Sequence, residues 1–88
     1  MPKAYLKIDN QRGLHARAAA KFVKIGSNYD IEVTVSKDGQ TVSGVSIMDL
    51  LMLAAVPGEK IVLETTGTQA IEGLNALSDL IKNKSEEL

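Results

Sequence analysis

The chain has 88 residues, with ten basic and eleven acidic side chains for a formal net charge of −1, no cysteine, and 44% apolar residues of which only three are aromatic. That length suits one domain, residues 1–88, burying roughly 60–65% of the surface that the unfolded chain exposes. The near-neutral charge excludes nucleic-acid binding by bulk electrostatics, and the lack of thiols excludes disulfides, thiolate nucleophiles and thiolate metal sites.

The chain opens on an alternating stretch, residues 4–9, in which Ala4, Leu6 and Ile8 oppose Tyr5, Lys7 and Asp9, the period of a strand with one wet face. Residues 16–25 read as a helix with an apolar stripe of Ala16, Ala19, Ala20 and Val23, joined by Phe22, and Gly26 is the expected stop. Residues 31–36 alternate again, and the Asp38-Gly39 pair predicts a hairpin onto a third strand at 41–44. Ser46 can cap a short helix that Pro57-Gly58 must end. A fourth strand follows at 60–67, and Thr68 is the expected cap of a last helix lined by Ile71, Leu74, Leu77, Leu80 and Ile81. The tail after Asn83 is polar and is expected to fray.

The order β-α-β-β-α-β-α predicts an α+β fold, a two-layer open-faced sandwich. Its four-stranded antiparallel sheet carries three helices on one face, and Lys7, Glu32, Thr34 and Glu64 meet water on the other. The longest apolar run, residues 50–56, is far short of the ~20 residues of a membrane span. With no export signal legible at the N-terminus, the expected location is the cytoplasm.

The chemistry concentrates around His15, the only histidine. Set at a helix start, its ring would stand beside unpaired backbone N–H groups and the positive end of the helix dipole, a ready anion site. Gly13 gives freedom for a tight entry, and Arg17 can reach an anion's oxygens with several donors. Arg12, Arg17, Lys21 and Lys24 share a window that holds no acid. A neutral imidazole nitrogen in that setting can accept a phosphoryl group, although position alone supports only an anion-binding histidine.

The segment GLHARAAAKFV, residues 13–23, resembles the active-site segment of HPr, the histidine-containing phosphocarrier family of the bacterial phosphoenolpyruvate-dependent phosphotransferase system. Length and element order match as well, so the resemblance covers essentially the whole chain. It implies that His15 is phosphorylated on Nδ1 by enzyme I and passes the group to an enzyme IIA component. Arg17, with the backbone of Ala16 and Arg17, would bind the phosphate. The family's His-Ala-Arg-Pro becomes His-Ala-Arg-Ala, with Ala18 in place of proline. A first-turn proline omits an N–H that no helical acceptor needs, so alanine there puts transfer rate in question and leaves the chemistry intact.

A second segment, VSIMDLLMLAA, residues 45–55, resembles the family's regulatory stretch. The resemblance makes Ser46 the site phosphorylated by HPr kinase/phosphorylase in bacteria that have that enzyme. Phosphate at a helix start is tolerated by the dipole, so it would act by adding about −1.5 to −2 charges to a docking surface. As a bare residue, Ser46 is equally an ordinary N-cap. Residues 47–53 are more apolar than one buried helix face can use. Part of Ile47, Met48, Leu51 and Met52 is therefore expected at the surface beside His15, with Ala20 and Lys24, as a partner patch. The residues 50–55 resemble the family's nitrogen-related paralogue and lean the reading toward a regulatory relay.

Two other classes of function compete with the carrier. A small acylphosphatase-like hydrolase would use Arg17 for phosphate and Asn10 to orient water, but no further residue completes a catalytic set. A small RNA-binding domain would want aromatic residues on the open sheet face, where Tyr5 stands alone, and the alternative to the carrier is a non-catalytic anion- or protein-binding regulatory module without phosphotransfer. One histidine with scattered carboxylates lacks zinc-ligand spacing, and no nucleotide-binding glycine loop is present. No cofactor, nucleic acid or membrane insertion is expected, and the resemblance implies a monomer with transient partners.

Overall fold

The computed structural model describes residues 2–8, 14–53 and 56–82. The elements follow the expected order: β1 (Lys3–Lys7), α1 (Ala16–Gly26), β2 (Glu32–Lys37), β3 (Gln40–Ser43), α2 (Ile47–Leu53), β4 (Lys60–Thr66) and α3 (Ala70–Lys82). Asp9, Asn10, Arg12, Gly13 and the tail from Asn83 lie outside the described residues. No described helix is long and apolar enough to cross a membrane.

The four strands form one antiparallel sheet in the order β1-β4-β2-β3. Its register follows the period of two. Leu6 lies opposite Ile61, Ala4 opposite Leu63, and Val35 opposite both Leu63 and Val42, which gathers the apolar side chains onto one face. Tyr5 opposite Val62 and Thr34 opposite Glu64 hold the other face. The hairpin from β2 to β3 turns through Asp38 at φ 51° and Gly39 at φ 84°, the pair of positive values that a two-residue type I′ turn requires.

All three helices cover the apolar face. α3 packs on β1 and β4, α2 on β2 and β3, and α1 lies against both helices. Phe22, Leu50, Leu53 and Leu77 meet Ile8, Val35, Ile61 and Leu63 in one core. Thr65 is the fully buried polar residue of this layer, and its hydroxyl donates to the Ala70 carbonyl at 2.7 Å, fastening the end of β4 to the start of α3. At Gly44 the chain passes so close to β2 that an added Cβ would fall 2.4 Å from Val33 Cγ1 and 3.2 Å from the Phe22 ring.

The structure corrects four local expectations. α1 buries Ala18, Ala19, Phe22 and Gly26, while Ala16 and Ala20 are exposed and Val23 only half-buried. The one large side chain sets the helix rotation, and alanines on either side conform to it. Gly26 stays inside the helix, and Ser27 makes the stop in its place: its N–H reaches the Val23 carbonyl and its hydroxyl the Lys24 carbonyl. Thr68 does not cap α3, because its hydroxyl donates to the Asp30 carboxylate at 2.6 Å. Ile71 is 65% exposed. The first turn of α3 instead turns Ala70 and Gly73 inward, where a Cβ on Gly73 would stand 2.4 Å from Ile31 Cδ1.

Candidate functional site

The site is set by how the chain leaves β1. Ile8 is held on both sides by backbone bonds to the turn before β4, donating to the Glu59 carbonyl and accepting from the Gly58 N–H at 2.9 Å each. The chain re-enters the described structure at Leu14, which is buried in the core. Leu14 and Ala19 then occupy the two positions whose apolar contact steers a chain into a helix. Between Leu14 and Ala16 stands His15, extended at φ −91° and ψ −179°, as the N-cap residue of α1.

His15 caps with its backbone alone. Its carbonyl accepts the first helical bond from the Ala19 N–H at 2.8 Å, and its side chain makes no capping hydrogen bond. The amides of Ala16, Arg17 and Ala18 therefore have no acceptor within the helix. No acidic residue lies in the first turn to compete for them. The half-buried imidazole thus borders a short row of donors at the positive end of an eleven-residue helix. Arg17 is exposed on that first turn, and Ala18 is buried with 1% exposure. The alanine fills the core there and keeps its backbone N–H.

The second site is built differently. Ser46 precedes α2, and its hydroxyl oxygen accepts from the Asp49 N–H at 3.2 Å while its carbonyl accepts from the Leu50 N–H at 3.1 Å. It is a full N-cap, half-buried. α2 buries Leu50 and Leu53 and leaves Leu51 half-buried. Ile47 is 40% exposed, Met48 67% and Met52 66%, and Ala20 and Lys24 are exposed on the neighbouring α1. Val45 and Val56, on either side of this segment, are exposed as well. These valines flank the apolar run, and that position was the available signal. Lys24 also serves the fold, as the basic residue in the last turn of α1.

The open sheet face carries a hollow of about 390 Å³ beside Tyr5, Lys7, Lys60 and Val62, which His15 does not line. Among the described residues no cluster of three or more His, Asp or Glu is placed to hold a metal ion.

Comparison with known proteins gives this geometry its context. Residues 3–83 match the family model described as the PTS HPr component phosphorylation site. The phosphocarrier protein HPr of Pseudomonas aeruginosa is 47% identical over 88 residues, covering 99% of this chain and 98% of that protein. The phosphocarrier protein NPr of Klebsiella oxytoca is 37% identical over 86 residues, 97% of this chain and 96% of its own. Among solved structures, HPr from Thermoanaerobacter tengcongensis superposes with a TM-score of 0.93 at 38% identity over the whole of both chains. By sequence, by fold and by the segment around His15, the chain belongs to the PTS HPr family of phosphocarrier proteins.

Proposed function

We propose that the chain is a phosphoryl carrier that receives its group from phosphorylated enzyme I and passes it to an enzyme IIA component, with His15 as the acceptor. The observation that carries this reading is the N-cap geometry: an imidazole that forgoes capping, beside amides with no helical acceptor. In the forward step the Nδ1 lone pair attacks phosphorus, the N–P bond of the donor phosphohistidine breaks, and its electron pair returns to the donor ring. Transfer to enzyme IIA repeats the exchange with His15 as the leaving group. Arg17 and the amides of Ala16 and Arg17 hold the phosphoryl oxygens throughout. The chain is regenerated each cycle and turns over no substrate of its own, so it acts as a carrier and not as an enzyme, in the cytoplasm and as a monomer.

Partners read the exposed surface of Ala20, Lys24, Ile47, Met48, Leu51 and Met52. Phosphorylation of Ser46 by HPr kinase/phosphorylase would place charge at the edge of that surface. The higher identity to an HPr than to an NPr supports the sugar-transport branch over the nitrogen-type relay toward which residues 50–55 lean.

The test is the intact mass after incubation with phosphoenolpyruvate and a bacterial enzyme I, measured before and after mild acid, which cleaves phosphohistidine and spares phosphoserine. The expected result is an acid-labile gain of one phosphoryl group that His15→Ala lacks. Absence of any gain, or its persistence in His15→Ala, would overturn the assignment.

A further inference from the structure

The exposed apolar residues of the α2 segment, which packs against α1, have an unusual composition for a patch that must stay exposed. Seven large apolar side chains are exposed among the described residues, and five of them fall between Val45 and Val56. The two most exposed of those five are Met48 and Met52, at 67% and 66%. They stand four residues apart on α2, so their side chains are neighbours on one face of the helix. Neither belongs to the core, which α2 supplies with Leu50 and Leu53.

We propose that Met48 and Met52 are paired oxidation sites, and that their conversion to sulfoxides by a peroxide reversibly switches off docking at this surface. The inference rests on the carrier reading, since the docking partner is phosphorylated enzyme I. In each event the thioether sulfur donates an electron pair to one peroxide oxygen, the O–O bond breaks, an S–O bond forms, and the second oxygen leaves as water. Sulfur is oxidised and peroxide reduced. The product exchanges a flexible apolar chain for a polar, chiral one. A buried sulfoxide in a dry interface would lack the partners that water supplies, so it weakens docking even though His15 is untouched. The fold does not feel the change, because both sulfurs sit outside the core.

Three measurements decide the matter. Peptide-resolved oxidation by hydrogen peroxide should run at Met48 and Met52 as fast in the folded protein as in urea, and saturating enzyme I should slow it. The oxidised protein should then show a KM for phosphorylation by enzyme I raised about tenfold, equivalent to ~1.4 kcal/mol of docking free energy, with kcat unchanged. Methionine sulfoxide reductases should reverse the shift, and peroxide treatment of Met48→Leu/Met52→Leu should produce none, although Met1 remains oxidisable in that variant.

Met48→Gln/Met52→Gln should reproduce the raised KM without any oxidant and with an unchanged melting temperature. An equal loss in treated wild type and treated leucine variant, or an unchanged KM after complete oxidation, would overturn the switch. If the untreated protein accepts no phosphoryl group from enzyme I, the carrier reading fails first and the docking switch falls with it. Slow oxidation in the folded state would instead overturn the switch while leaving the carrier intact.

Discussion

α1 begins at His15, whose ring makes no bond to its helix, whereas α2 begins at Ser46, whose hydroxyl accepts from the Asp49 amide at 3.2 Å. Both residues hold the same structural position, and the difference lies in what each leaves open. An N-cap oxygen is worth about 1 kcal/mol to a helix. α1 forgoes that stabilisation, and its first-turn donors are left without an acceptor in the helix. α2 takes the stabilisation, so an anion can arrive there only by chemical modification of the cap itself. One helix start leaves its side chain uncommitted, and the other ties its side chain to the first turn.

Exchanging the two arrangements gives the largest expected effect. His15→Ser should abolish phosphorylation by enzyme I and at the same time raise stability by ~0.5–1 kcal/mol, because serine supplies the missing cap; mass spectrometry and urea unfolding read the two halves, and a destabilised variant would contradict the account of α1. Next in size is Arg17→Ala, which keeps the helix and the acceptor but removes an exposed guanidinium, and should slow transfer by about a hundredfold while some labelling persists. Rapid-quench kinetics would show it, and an unchanged rate would remove Arg17 from the site.

At α2, Ser46→Ala should cost ~1 kcal/mol in urea unfolding with little change in transfer, since only the cap is lost. Ser46→Asp should retain the cap and raise the KM for enzyme I severalfold through charge alone. The pair of variants separates the two roles of that side chain.

The smallest effect concerns the far end of the α2 segment. The Glu59 carboxylate accepts from the Val56 N–H at 2.9 Å and from Lys37 Nζ at 3.0 Å. Those contacts, the Val56 N–H first, hold its carboxyl below its ordinary value of 4.5. A depressed carboxyl contributes stability that is present above its unfolded value and lost as pH falls through the folded one. Glu59→Gln should therefore melt slightly lower than wild type at neutral pH, and the gap should close as acidification protonates the carboxylate in the folded protein. A gap that is constant with pH would show that the carboxylate's charge is not what fixes this turn.

Periodicity carried most of the architecture because strands with one wet face write their orientation into alternate residues, as Leu6, Val35 and Leu63 do. The helices were less legible where residues are small. Ala16, Ala18, Ala19 and Ala20 are nearly equivalent by hydropathy, and only the packing of Phe22 shows which of them face inward. The start of α3 is not legible from hydropathy for a steric reason, since Gly73 lies so close to Ile31 that any Cβ there would displace the isoleucine side chain. The position of His15 at a helix start could be read from its neighbours, whereas its lack of a side-chain cap could not. Imidazole, unlike serine, carries no fixed expectation of where its nitrogens point.

The pairing of β1 with β4 has a consequence for the protein's synthesis. Lys3 lies opposite Glu64 and Lys7 opposite Lys60, so the first strand to be made waits for one of the last. It also waits for α3, whose Leu77 and Ile81 complete the core. On a ribosome adding ~5–20 residues per second, Leu6 and Ile8 remain without their sheet partner for several seconds after they emerge. During that interval the edge of the nascent chain is available to other strands. A chain cut short before α3 therefore lacks the Leu77 and Ile81 side chains against which Leu6 and Ile8 complete the core.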